Sequence, residues 1–347
     1  MLSINQLQEK SSNLQDRSWP PVNKFQGFSG LIKDFLYLDV TQQYEILAKS
    51  RDNSEEHGKF IHESLGLIYA YVLGYEDSPC YITTNEELEI KLQQLKIVLE
   101  RELMNYWLDI PVIPQQLNQG EAVDYLNKKI LDNSGVYHEL FDYIATKASK
   151  TSVITFLQNE VIRNEVVDDE VALLVKGLQG LLKKVVASNL WDECGRGKLN
   201  DFHTYWLRML LEELNGWNQL SDYRKLTSPW YAKITSNSFN MLLTRPGYKY
   251  MAYGAFLIFE SWVHPHFERI IAGLKRVGID QEDLSIYFTA HLAIDQYHTR
   301  ELLAGIANQE PRLNQAEVDQ ILLGSHLAIA AGTAQYGRML SYLSTLK

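Results

Sequence analysis

Apolar residues recur at i, i+3, i+4 and i+7 along most of this chain, and only nine prolines and twenty glycines interrupt them. That spacing lays apolar side chains along one face of an α-helix and does not fit the two-residue period of a strand. The chain therefore reads as almost entirely helical. The pattern predicts helices over 29–50, 54–74 and 85–108. In the last of these, Leu92, Leu95, Leu99 and Leu103 form one stripe with charges opposite. A proline-containing loop at 110–120 and a short helix at 121–131 follow, and Asp132-Asn133-Ser134-Gly135 breaks the pattern. The periodicity is then denser, predicting helices over 136–147, 151–174, 178–194, 202–214, 248–278, 281–308 and 315–346. Residues 220–243 are aromatic-rich and follow no single period. The last helix holds a small-residue patch, Ala328 to Ala334, suited to close helix approach. Residues 1–24 are polar and include Trp19-Pro20-Pro21, an extended arm. The chain thus divides into an N-terminal helical region, 1–135, and a core, 136–347.

One stretch concentrates the chemistry. In Tyr287 to Leu303, YFTAHLAIDQYHTRELL, His291, Asp295 and His298 are spaced i, i+4, i+7. At about 100° per residue all three share one helix face. Two imidazoles and a carboxylate on one stripe suit a first-row metal such as iron, manganese or zinc. Phe288, Leu292, Ile294 and Leu302 flank them, so the helix is buried and a buried Asp needs a partner. The competing explanation is a solvated polar face.

Further ligands have to come from other helices. Glu193 ends one helix in NLWDECGRG and His203 opens the next in NDFHTYW, with a glycine-broken turn between them. Asp192, one residue before Glu193, points about 100° away from it. Glu260 interrupts the apolar YGAFLIFESWV, where a carboxylate is costly unless paired or metal-bound. Glu160 lies in TFLQNEVIRNEVVDDE, with Glu165, Asp168 and Asp169 as competitors. Four carboxylates and three imidazoles from several helices match the way dinuclear carboxylate sites are built in bundles and are too many for one zinc; the competing readings are a hydrogen-bonded core histidine at His203 and a surface acid at Glu193. The ExxH pair of ferritin-like proteins is absent, because Phe288 and Asp295 stand three residues before the two histidines. Glu301, Tyr205 and Tyr297 are candidates to orient the ligands. Aromatic residues at 217–239, with Phe256, Phe259 and Trp262, are candidates to line a pocket.

Composition narrows the class. A net charge of −10 with no Lys/Arg-rich run disfavours a nucleic-acid partner. The two cysteines, Cys80 and Cys194, form no CxxC motif and suit a reducing compartment. The N-terminus has no apolar signal-peptide core, and no apolar run is long enough to span a membrane. The expectation is a soluble, cytoplasmic protein.

Glu160, then Trp191-Asp192-Glu193 with His203, then Glu260, then His291, Asp295 and His298 resemble, in that order, the heme-oxygenase-like diiron oxidases and oxygenases, the iron-containing redox enzyme family. The resemblance covers about residues 136–347; for Glu160 it rests on the neighbouring FL…E…DD pattern. It implies an all-α, heme-oxygenase-like helical bundle without heme, with an additional N-terminal helical region. It implies two irons held by Glu160, Glu193, His203, Glu260, His291, Asp295 and His298, reacting with O₂ as Fe(II), and, through the N-terminal region, a homodimer. The implied function is an O₂-using oxidoreductase acting on a small amine or amino acid by N-oxygenation. The alternative is oxidative C–C cleavage, decarboxylation or desaturation of an amino or fatty acid. A metal-free helical relative or a non-enzymatic scaffold is the reading of another class, against which the intact HxxxDxxH and the carboxylate of Glu260 stand.

Overall fold

The computed structural model describes residues 31–74, 86–164, 166–214, 230–279 and 281–346, apart from a few helical side chains. The arm at 1–24 and Cys80 lie outside the described residues. Among the described residues there is no β-strand, and the helices are α1 (Leu31–Leu36), α2 (Val40–Ser50), α3 (Ser54–Leu73), α4 (Glu86–Glu102), α5 (Gln119–Leu131), α6 (Glu139–Thr146), α7 (Lys150–Asn164), α8 (Val167–Val175), α9 (Gly180–Glu193), α10 (His203–Glu213), α11 (Ile234–Thr244), α12 (Lys249–Arg276), α13 (Glu282–Ala307) and α14 (Gln315–Leu343). None of them is long and apolar enough to cross a membrane.

Two of the expected helices are divided. The stretch 29–50 breaks at Asp39, whose side chain accepts from the Gln42 backbone N–H while Gln42 reaches back, a reciprocal cap that starts α2 afresh. The stretch 151–174 breaks after Asn164, and the turn brings Glu170 onto Arg163 at 2.8 Å, both buried. Periodicity alone had run through both breaks because the apolar spacing continues across them.

α12 is the central element. Its run Met251 to Ile258 is buried all round, as a helix with neighbours on every side requires. It packs on α13, α14 and α6. The tightest crossing, with α14, is at Gly254 and Gly324 rather than in the Ala328–Ala334 patch. A Cβ on Gly254 would lie 2.0 Å from the Ile321 carbonyl oxygen, and one on Gly324 1.9 Å from that of Met251. Only glycine lets the two backbones meet there.

Two apolar clusters fill the interior. One joins the N-terminal helices to the bundle, from Leu65, Leu92 and Leu99 to Phe239, Met251 and Trp262. The other holds Phe156, Leu207, Phe267, Phe288 and Leu343. α12 passes from the first to the second between Trp262 and Phe267, and α13 passes back between Phe288 and Leu302. The polar residues Glu260, His291 and His298 sit along that seam.

The N-terminal helices are also tied on by buried charge. Glu100 accepts from Tyr69 Oη at 2.8 Å, Lys96 Nζ at 2.9 Å and an Arg245 nitrogen at 2.8 Å. Lys96, Glu100 and Glu102 of α4 are therefore buried, where the amphipathic pattern had placed charges outward. A buried carboxylate is tolerated because each lone pair finds a donor.

A candidate metal centre at the seam

Glu193 is the last residue of α9 and His203 the first of α10. Gly195, Arg196 and Gly197 between them all have positive φ, at 55°, 52° and 83°. A Cβ on Gly195 would lie 2.4 Å from the Asp201 carbonyl carbon, so glycine alone allows the chain to fold back on itself this tightly. The reversal sets Glu193 Oε2 2.9 Å from His203 Nδ1. That contact aside, the buried Nδ1 has no hydrogen-bond partner among the described residues. His203 is held from behind by Trp206, whose ring stacks on it at 5.1 Å.

α13 brings His291 to the same point. Its ring centroid is 4.2 Å from that of His203. Glu193, His203 and His291 are all buried, and one ligand atom from each lies within 4.8 Å of the others. His291 Nδ1 lies 2.5 Å from the Tyr287 carbonyl oxygen of its own helix. A carbonyl only accepts, so Nδ1 carries the proton and Nε2 keeps its lone pair. Burial, then the neighbouring His203, pushes His291 down to about 4. Burial would raise the Glu193 carboxyl, but His203, His291 and His298 hold it below its ordinary value. At neutral pH both groups are in the ligating form.

His298 lies two turns further along α13, buried between two carboxylates. Glu260 Oε2 is 3.3 Å from its Nδ1 and Asp192 Oδ2 is 3.1 Å from its Nε2. Asp192, expected to point away, thus reaches the second histidine while Glu193 reaches the first. Its other oxygen accepts from Arg196 Nε at 2.7 Å. Burial opposes ionisation of Asp192, yet Arg196 and His298 hold its carboxyl below the usual value. Asp295 lies on the same helix, and its side chain lies outside the described residues.

Glu160 stands apart from the three-donor group. It lines a cavity of about 120 Å³ together with Glu193, Glu260 and His291. Burial, only partly offset by Arg163 and Asn164, raises it to about 7. Of its competitors, Glu165 lies outside the described residues, Asp168 is half-buried and Asp169 exposed, and Glu170 is paired with Arg163. Phe239, Phe256, Phe259 and Trp262 form apolar walls of the cavity, and residues 217–229 of the aromatic-rich stretch lie outside the described residues. Gln335, also at the cavity, accepts the Thr235 backbone N–H at 3.0 Å and its hydroxyl at 2.9 Å, which fixes the orientation of its amide. Tyr297 and Glu301 instead bond each other, at 3.0 Å, and Lys184 takes Glu301 at 2.9 Å.

Sequence reasoning pointed Asp192 away from Glu193 and gave Arg196 and Gln335 no place here. The i, i+4 charge spacing of Asp192 and Arg196 was the available signal for the first two; nothing local marks Gln335.

The donor set fits a first-row metal: two buried imidazoles and one buried carboxylate, with one ligand atom of each within 4.8 Å of the others. The family model described as iron-containing redox enzyme matches residues 154–333. Two crystal structures of a CADD-like protein of unknown function from Nostoc punctiforme share the fold. One is 17% identical with a TM-score of 0.53, covering 65% of this chain and 97% of that one. The other is 16% identical with a TM-score of 0.52, covering 65% and 96%. No curated protein matches the chain.

Proposed function

We propose that this chain, which belongs to the iron-containing redox enzyme family, is an oxidoreductase that holds two irons and uses O₂ to oxidise a small amine or amino acid at nitrogen. The observation that carries the reading is the convergence of Glu193, His203 and His291 beside a small, acid-lined cavity. In this proposal those three residues hold one iron. Glu260, Asp295 and His298 hold the other, with Glu160 completing the set from the cavity side. When bound, the irons supply the electrons that reduce O₂ and the oxidising power that acts on the substrate.

The chain's own residues do the rest. Tyr287 and Asp192 fix the planes of His291 and His298, so each imidazole meets an ion with little rearrangement. The aromatic walls exclude water and leave room only for a small molecule. The cavity, about 120 Å³, admits a small amine more readily than a long-chain acid.

The test is anaerobic Fe(II) titration followed by O₂ with panels of small amines, amino acids and fatty acids. Two irons per chain, and a product one oxygen atom heavier from an amine, are expected. Zinc that persists through dialysis with no iron uptake would overturn the metal assignment. Turnover confined to fatty acids would overturn the substrate class.

A further inference from the structure

One buried amide at the cavity is only half used by the fold. Gln335, on α14, is 3% exposed and lines the cavity together with Thr235. Its Oε1 accepts from the Thr235 backbone N–H at 3.0 Å and from the Thr235 hydroxyl at 2.9 Å. Thr235 is the second residue of α11, so its N–H has no acceptor within that helix and takes one from outside. A backbone N–H only donates. The amide of Gln335 therefore has to turn its oxygen to Thr235 and its NH₂ the other way.

That NH₂ makes no hydrogen bond among the described residues, and it is not sealed off by protein atoms, so it opens onto the cavity. Two neighbouring donors on the same walls are already taken. The Trp262 indole N–H goes to Asn133 Oδ1 at 3.1 Å, and His266 Nε2 goes to the Gly135 carbonyl at 2.9 Å. A ligand that fills the cavity and brings no acceptor leaves the Gln335 N–H groups buried and unpaired, which is costly. A site built around such a donor rejects the analogue that lacks the acceptor.

We propose that Gln335 Nε2 selects the substrate by donating to a carboxylate or carboxamide oxygen. The inference rests on the reading of the site given above and narrows it: the amine that is oxidised also carries such an oxygen, and a plain alkylamine is rejected. Gln335 is the contact, and Thr235 is the positioning residue that aims it.

The experiment is isothermal titration calorimetry on the full chain, metal-free and after anaerobic Fe(II) loading. The probes are glycine, alanine and serine, each beside its primary amide and beside the amine in which an isopropyl group of the same shape replaces the carboxylate. Wild type should bind at least one acid or amide about 10- to 100-fold more tightly than its isopropyl counterpart. Gln335→Leu should erase that preference. Gln335→Glu still accepts from Thr235, so α11 stays capped, but it turns an acceptor towards the cavity. It should weaken the acids about tenfold or more, while the amides, whose own NH₂ can donate, keep their affinity. A role confined to capping α11 would leave Gln335→Glu unchanged towards both. A wild type that binds none of the probes or prefers the isopropyl amines overturns the proposal. A Gln335→Leu chain that keeps the preference, or a Gln335→Glu chain that binds the acids as wild type does, overturns it as well. Iron uptake is read on the same preparations. Its absence would overturn the metal assignment and leave the preference of the metal-free chain standing, so the two failures are told apart.

Discussion

Asp192 Oδ2 lies 3.1 Å from His298 Nε2, and the same carboxylate holds Arg196 through its other oxygen at 2.7 Å. The neighbouring residue, Glu193, lies 2.9 Å from a different histidine, His203 of α10, in the group that His291 of α13 completes. The end of α9 thus addresses two imidazoles with two consecutive carboxylates, one as donor in the three-residue group and one as an orienting partner.

Asp192→Ala should accordingly lower iron affinity by about 10- to 100-fold, the usual cost of losing a partner behind a ligating imidazole. Helicity should be unchanged. Arg196→Ala should act in the same direction but less, because its guanidinium is largely exposed. Anaerobic metal titration followed by absorbance reads both; wild-type affinity in Asp192→Ala would remove it from the centre.

Glu193→Gln keeps the shape of the side chain and removes its charge. It should abolish binding at the Glu193, His203 and His291 position and halve the iron content. Asp295→Ala removes a proposed iron ligand and should abolish O₂-dependent turnover with the fold intact. Iron analysis and O₂ consumption check the pair, and full activity in Asp295→Ala would sink its assignment.

Gly324→Ala and Gly254→Ala should each destabilise the protein by about 2–3 kcal/mol, because the added methyl must force apart the backbones of α12 and α14. Urea midpoints measure this. A change under about 0.5 kcal/mol would mean that the crossing is looser than the structure has it.

His62, on α3, is fully buried, and burial, with a smaller contribution from Arg338, pushes it down to about 3. The folded protein keeps it neutral, whereas the unfolded chain takes up a proton below about 6.5. Its contribution is therefore complete above that pH and is lost progressively as pH falls towards 3. Between pH 7 and pH 5 the loss should be about 2 kcal/mol. His62→Gln should flatten the stability profile by that amount in metal-free protein. His266, also pushed down to about 3 by burial, keeps the remaining slope. An unchanged profile in His62→Gln would show that His62 is not the acid-sensitive group.

Part of this was legible in the sequence. A 3.6-residue period states that one face of a segment is buried, so most helices and the burial of 248–278 followed directly. The i, i+4, i+7 spacing put His291 and His298 on one face, and the acid within YGAFLIFESWV marked Glu260, because such costs have to be offset wherever the chain folds. What a period does not state is which element covers the buried face. The 2.9 Å approach of Glu193 to His203 depends on Gly195 lying against Asp201. The hold of Asp192 on His298 spans 106 residues, and Lys96 and Glu100 are buried only because Tyr69 and Arg245 arrive from other helices. Local spacing determines a helix and its faces; pairings between helices belong to the packed core, where shape and hydrogen-bond satisfaction choose among partners that look alike along the chain.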